Sequence, residues 1–166
     1  MAYFALAAMN CRYASSSRWQ IETLIAMLSI AGNYCERNVV SATVSYISLC
    51  EVLRGSATHK LFRLLRDELP RVQITLMHVA IWCIGEFGDC LLETCSKMDE
   101  PQNMYHALPF PEILELLDAV LKSHLASTLT KNYVLTALVK LSSRLQTGTF
   151  ECQALLQHLA ELLNKF

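Results

Sequence analysis

Charge is scarce in this chain. Of its 166 residues only 17% are Asp, Glu, Lys or Arg, and they sum to a net charge of -1. That balance leaves no basic stripe for nucleic acid and no general attraction to an anionic lipid surface. Glycine and proline are sparse too, at five and four residues, so a glycine-rich phosphate loop or a proline-rich linker has no material. Long apolar runs are missing. The longest uncharged one, Val72 to Gly85, falls short of the ~20 residues that span a bilayer as a helix. Met1 to Cys11 is apolar but lacks the basic segment that precedes a signal-peptide core, so the expectation is a cytosolic chain whose first helix begins near Met1. The seven cysteines, Cys11, Cys35, Cys50, Cys83, Cys90, Cys95 and Cys152, are odd in number and scattered, which argues for reduced thiols rather than a disulfide framework.

What the chain has in quantity is apolar side chains, 53% of the total, enough for one ordinary domain with a real core. Their spacing is helical throughout. Ile21, Leu24, Ile25, Leu28 and Ala31 form a stripe over 19–31, closed by Gly32-Asn33. Val39 to Leu49 is β-branched and locally strand-like, yet the spacing of Val40, Val44 and Ile47 and its helical neighbours favour a helix. A helix over 51–69 sets Leu53, Leu61, Leu64 and Leu65 beside Arg54, Lys60, Arg63 and Arg66, and Gly55 weakens it by roughly 1 kcal/mol relative to Ala. Pro70 ends that helix and is expected to open the next, which runs from Arg71 to about Leu92. The stretch 94–109 reads as loop. Pro111, with Glu112 and Glu115 in the first turns, starts a helix burying Ile113, Leu116, Leu117, Val120 and Leu121. Ser127 or Thr128 caps the next, with Val134, Ala137, Leu138, Leu141 and Leu145 inward and Lys140 and Arg144 outward. After the break at Thr147-Gly148-Thr149, Leu155, Leu159, Leu162 and Phe166 oppose a polar row of Gln153, Gln157, Glu161 and Lys165. Seven or eight helices with no strands make an all-α fold, either a compact bundle or an α-solenoid of stacked hairpins.

Chemistry-bearing residues do not gather into a recognisable centre. His78, Cys83, Cys90 and Cys95 lack the paired spacing of a structural zinc site, and His78 and Cys83 sit five apart on a helix, facing different ways. No local context activates Cys83 or Cys90 with His78 or His106 as nucleophile and base. Asp99-Glu100 fits a solvated loop and Glu112-Glu115 a helix start. Lys60, Arg63, Arg66 and Arg71 read as a solvated face because Asp67 and Glu68 interrupt them. Trp19 and Trp82 are expected to pack in the core or between hairpins. No catalytic, cofactor-binding or metal residue is assigned, and no binding residue is fixed. One stretch does stand out. In Trp82-Cys83-Ile84-Gly85-Glu86-Phe87-Gly88-Asp89 two glycines three apart allow a neighbouring backbone to come close or the helix to end. Glu86 there either ends exposed at the surface or accepts hydrogen bonds across a hairpin boundary and helps fix the stacking register.

Three ordered segments carry a family resemblance: Arg18-Trp19-Gln20-Ile21-Glu22-Thr23-Leu24 with Ala31-Gly32-Asn33-Tyr34, then Val79 to Asp89, then Ile113 to Leu121 with Tyr133 to Ser142. Together they resemble the trunk helices of the large adaptins of clathrin adaptors, over about residues 12–145, and the Trp-Cys-Ile-Gly-Glu wording is most similar to the gamma type. The resemblance implies an armadillo/HEAT-like α-solenoid of stacked antiparallel hairpins, one trunk-type domain over 1–166 with no hinge and no ear. It implies a non-enzymatic scaffold without cofactor, serving vesicle-mediated protein transport between the trans-Golgi network and endosomes. Its partners would be beta-type large, mu-type medium and sigma-type small chains, with clathrin and a small GTPase reached only through parts of the family not matched here. It would be cytoplasmic, held peripherally on Golgi and endosomal membranes and clathrin-coated vesicles through the complex. The rival is a small ligand-binding or enzymatic helical bundle, and the nearly pure aliphatic inward stripes count against it. A solenoid piece with uncovered end hairpins is expected to be poorly soluble or to self-associate.

Overall fold

A computed structural model describes residues 16–31, 34, 37–96 and 104–144, with the isolated positions 157 and 160. Six α-helices stand among the described residues: α1 (Ser17–Ala31), α2 (Arg37–Leu49), α3 (Glu51–Glu68), α4 (Ile74–Phe87), α5 (Phe110–Lys122) and α6 (Thr128–Arg144). They pack as successive hairpins, α1 on α2, α3 on α4 and α5 on α6, while α2, α4 and α6 lie side by side and α1 meets α3. Two layers of helices in this order make an α-solenoid. The bundle alternative is thereby set aside.

The anticipated stripes form the core. Ile21, Leu24, Ile25 and Leu28 of α1, Leu61 and Leu65 of α3, Ile113, Leu117 and Val120 of α5, and Val134, Leu138 and Leu141 of α6 are all buried. The β-branched segment is helical, with Val39, Val40 and Ile47 buried. Thr43 adapts to this helix by donating its hydroxyl to the Val39 carbonyl at 2.8 Å, so a polar group in the core keeps a partner. The α4 helix is buried on most sides, from Leu76 to Phe87, because α1, α2, α3 and α6 all touch it. With the following turn, Ile74–Leu92 is long and apolar enough to cross a membrane by length and composition, yet most of it lies inside the protein as a core helix.

Four expectations change. Pro70 opens no helix: Leu69, Pro70 and Arg71 form a turn closed by Arg71 N–H to the Glu68 carbonyl at 2.8 Å. An extended Gln73 then starts α4, its carbonyl accepting from Met77 N–H at 3.0 Å. The long helix does not run unbroken to Leu92, because the chain tightens into a 3₁₀ turn over Gly88–Leu92 where Gly88 lies under Leu141. The supposed loop contains a short antiparallel pairing of β1 (Cys95–Ser96) with β2 (Met104–Tyr105), Cys95 opposite Tyr105. Burial of Tyr105 against α3 draws this segment in. Trp19 is not packed away; it is 48% exposed near the start of α1. The expected segments at 1–15, 97–103 and 145–166 lie outside the described residues, save that Gln157 and Ala160 are helical and exposed.

Candidate functional site

The surface formed by α4 and α6 is built around two glycines and one carboxylate. A side-chain carbon on Gly85 would lie 2.6 Å from Ala137 Cα and 2.8 Å from Ala137 Cβ. Only hydrogen fits there, and the α4 and α6 backbones meet more closely than any larger residue allows. One residue further, Glu86 takes Lys140 Nζ on Oε2 at 2.7 Å and the Arg144 guanidinium on Oε1. Lys140 and Arg144 are one helical turn apart, so a single carboxylate spans the same face of α6. The Lys140 hydrogen bond, aided by both positive charges, holds the Glu86 carboxyl below its ordinary range, although partial burial works the other way. Glu86 therefore bridges two hairpins, and Lys140 and Arg144 bend back to it instead of pointing freely outward.

Trp82 lies one turn before Glu86. Lys140 Nζ sits 4.7 Å from its ring centroid, and Phe87 meets its edge at 5.9 Å. Two open grooves flank it. The first, about 170 Å³, is lined by Trp82, Leu129, Tyr133, Ala137 and Lys140, with Asn132 and Thr136 on its rim. The second, about 490 Å³, is more polar and runs past Arg54, Phe87, Asp89 and Arg144 to Ser48. There Arg54 donates to the Ser48 carbonyl, bonds Glu51 at 3.4 Å and stacks over Phe87 at 5.4 Å. The arrangement offers an apolar slot beside a shelf of paired charges.

The candidate acid–base and thiol residues do not gather at one centre, although Cys90 and Cys95 meet beside Gly55. His78 turns to Thr130 Oγ1 at 3.1 Å and stacks on Tyr133 at 4.6 Å, and burial lowers its proton affinity. Cys83 is in the core, where burial and then Glu86 push its thiol far up, away from a thiolate. His106 is exposed, and Asp99 and Glu100 lie outside the described residues. Among the described residues no three His, Cys, Asp or Glu side chains converge as metal ligands. The basic cluster is spread out: Arg66 pairs with Asp67 at 3.1 Å and reaches Glu112 at 3.7 Å, Arg63 lies over Tyr105, and Arg71 is exposed.

His59 was not visible from sequence as a structural group. Its Nε2 lies 3.1 Å from the carbonyl oxygens of both Cys90 and Glu93. Both partners accept only, so Nε2 carries the proton and donates to them. Its ring stacks on Tyr105 at 5.1 Å. One side chain of α3 thus pins the 3₁₀ turn and β2 together. No spacing signal could have announced it, because the partners are main-chain atoms more than thirty residues away.

Stacked helical hairpins, a largely apolar interior and a seam fixed by a glycine and an ion cluster define a helical-repeat protein. The family model for the adaptin N terminal region matches residues 4–165. The chain belongs to the adaptin family. Relatives include the mouse AP-1 complex subunit gamma-like 2, 36% identical over 135 residues, covering 81% of this chain and 16% of that protein. The Dictyostelium discoideum AP-1 complex subunit gamma is 30% identical over 141 residues, 84% of this chain and 16% of that one. The Mycosarcoma maydis AP-1 complex subunit gamma-1 is 33% identical over 138 residues, 83% and 15%. The likeness is thus to gamma-type large adaptins. The chain spans only about a sixth of the length of these relatives.

Proposed function

We propose that this chain serves as a scaffold in a gamma-type clathrin adaptor, taking part in vesicle-mediated protein transport between the trans-Golgi network and endosomes. It acts by shape and contact and is not an enzyme. The observation that supports this most is the alignment of α2, α4 and α6 into one layer in a chain that matches AP-1 gamma subunits over four-fifths of its length. The outer side of that layer, with Trp82 between two open grooves, gives a neighbouring subunit an apolar anchor point with polar surroundings. By family resemblance its partners are beta-type, mu-type and sigma-type chains, and its place is cytoplasmic, peripheral on Golgi and endosomal membranes through the complex. Trunk-type organisation over 1–166 belongs to the same reading.

The test is co-purification of the tagged, folded chain with co-expressed beta-, mu- and sigma-type chains of the same organism. Retention of at least one through a size-exclusion column, reduced by Trp82→Ala with the melting temperature unchanged, supports the proposal. A folded chain that retains none of the three refutes it. A small molecule that instead raises the melting temperature by saturable binding would return the chain to the ligand-binding class.

A further inference from the structure

The chain between the end of α4 and β2 doubles back on itself. The Glu93 N–H approaches the Cys90 carbonyl at 3.4 Å, and His59 Nε2 pins the carbonyls at both ends of that turn. The reversal brings Cys90 and Cys95 to the same notch on α3, the one left by Gly55. From the point where a Gly55 side chain would begin, Cys90 Cβ is 3.6 Å away, Cys95 Sγ 3.7 Å and Cys95 Cβ 3.8 Å. Both cysteines are free and only partly buried, unlike Cys83 in the core. A disulfide requires neighbouring Cβ atoms and side chains that turn towards one another. Two thiol-bearing side chains bordering one notch, on a chain reversal held by a third residue, place both cysteines within a side chain's length of a common point, and rotation about Cα–Cβ of the partly buried Cys90 turns its sulfur towards Cys95.

We propose that Cys90 and Cys95 form a dithiol modification site that closes to an intrachain disulfide when offered a low-molecular-weight disulfide such as oxidised glutathione. Cys95 is the attacking thiol. Burial raises both thiols above their ordinary value; at Cys90 the Asp89 and Glu93 carboxylates add to the rise while Arg144 opposes it, and at Cys95 a Ser56 hydrogen bond opposes it. Cys95 loses its proton to solvent, and its sulfur attacks one sulfur of the glutathione disulfide. One glutathione leaves as thiolate and takes up a proton, and a mixed disulfide remains. Cys90 sulfur, deprotonated in turn, attacks Cys95 Sγ and expels the second glutathione. Two protein thiols are oxidised by two electrons, and one glutathione disulfide is reduced to two thiols. With both groups protonated at neutral pH, the pair stays reduced without such an oxidant and closes faster as pH rises. The bond ties the 3₁₀ turn to β1 across the mouth of the Gly55 notch.

The native chain is incubated with oxidised glutathione, alkylated and digested, and the disulfide map is read by mass spectrometry. The expected result is a Cys90–Cys95 link with loss of two hydrogens. Cys90→Ser stops the reaction at a glutathione adduct on Cys95. Phenylarsine oxide, which condenses with two neighbouring thiols and releases water, serves as the second probe: bound bidentate arsenic at these positions is lost in Cys90→Ser and in Cys95→Ser. Stable glutathione adducts on both cysteines without ring closure, no reaction at either, or a link from Cys90 or Cys95 to any other cysteine would overturn the proposal.

Discussion

Replacing Gly85 by alanine tests the closeness of the α4–α6 seam directly. In an exposed helix interior the change would stabilise by up to ~1 kcal/mol, since alanine is the better helix former. Here the new methyl would sit 2.6 Å from Ala137 Cα. The obstacle is backbone and a short side chain, and neither can swing aside, so the two helices must part. Overpacking of this kind costs about 1–3 kcal/mol, and the severity of the overlap places it at the upper end. Subtracting the helical gain leaves a net loss of about 2 kcal/mol, a fall in melting temperature of roughly 4–8 °C for a domain of this size. Gly55→Ala is the internal control. Its methyl meets Cys90 Cβ at 3.6 Å and Cys95 Sγ at 3.7 Å, ordinary contact distances, so it gains roughly 0.5–1 kcal/mol of stability. Thermal and urea melts followed by circular dichroism decide between them. Adding Ala137→Gly to Gly85→Ala restores only part of the loss, because the overlap with Ala137 Cα persists. If Gly85→Ala melts at or above the parent temperature, as Gly55→Ala should, the seam is not closed by backbone contact and the reasoning fails.

Glu86→Gln removes the charge that joins Lys140 and Arg144. All three side chains are partly exposed, so the expected loss at pH 7 is at most about 1 kcal/mol. Because the Glu86 carboxyl titrates below its ordinary range in the fold, its contribution is full above the unfolded carboxylate pKa of about 4.3 and disappears as pH falls through the lower folded value. The melting difference between Glu86→Gln and parent should therefore vanish in acid, and a difference that persists there rejects the ion cluster as its source. His59→Phe leaves the Cys90 and Glu93 carbonyls without their donor and should cost about 1–3 kcal/mol at pH 7 by urea melts. Burial lowers the His59 pKa, so the parent loses stability as pH drops below about 6.5 and levels off below the folded value, and His59→Phe should show a shallower acid slope. An unchanged slope would show that His59 is not protonated differently on unfolding.

The helices were legible because each buries one stripe, and a stripe is a local pattern. Ile21, Leu24, Ile25 and Leu28, or Ile113, Leu117 and Val120, announce their burial within two turns. Even Val39–Leu49 yields to pattern over propensity, since helical neighbours supply the packing that its β-branched residues lack alone. The seam was half legible. Gly85 and Glu86 stood out within their own helix, but Ala137, Lys140 and Arg144 answer them from more than fifty residues away. What escaped altogether has no local pattern to announce it: the proton on His59, the pairing of β1 with β2, and Trp19 left half exposed where packing in the core or between hairpins was expected. Pro70 misled for another reason. Proline suits both a helix start and a tight turn, and only the position of the following helix selects between them.

A stack of hairpins behaves as a lever. Each hairpin carries the next, so a small change of spacing at one joint swings everything mounted beyond it. At Gly85 that spacing is set by a missing methyl group, the smallest side-chain change protein chemistry offers. The pitch of this rod, and with it the aim of whatever it carries, is thus written in a single hydrogen atom.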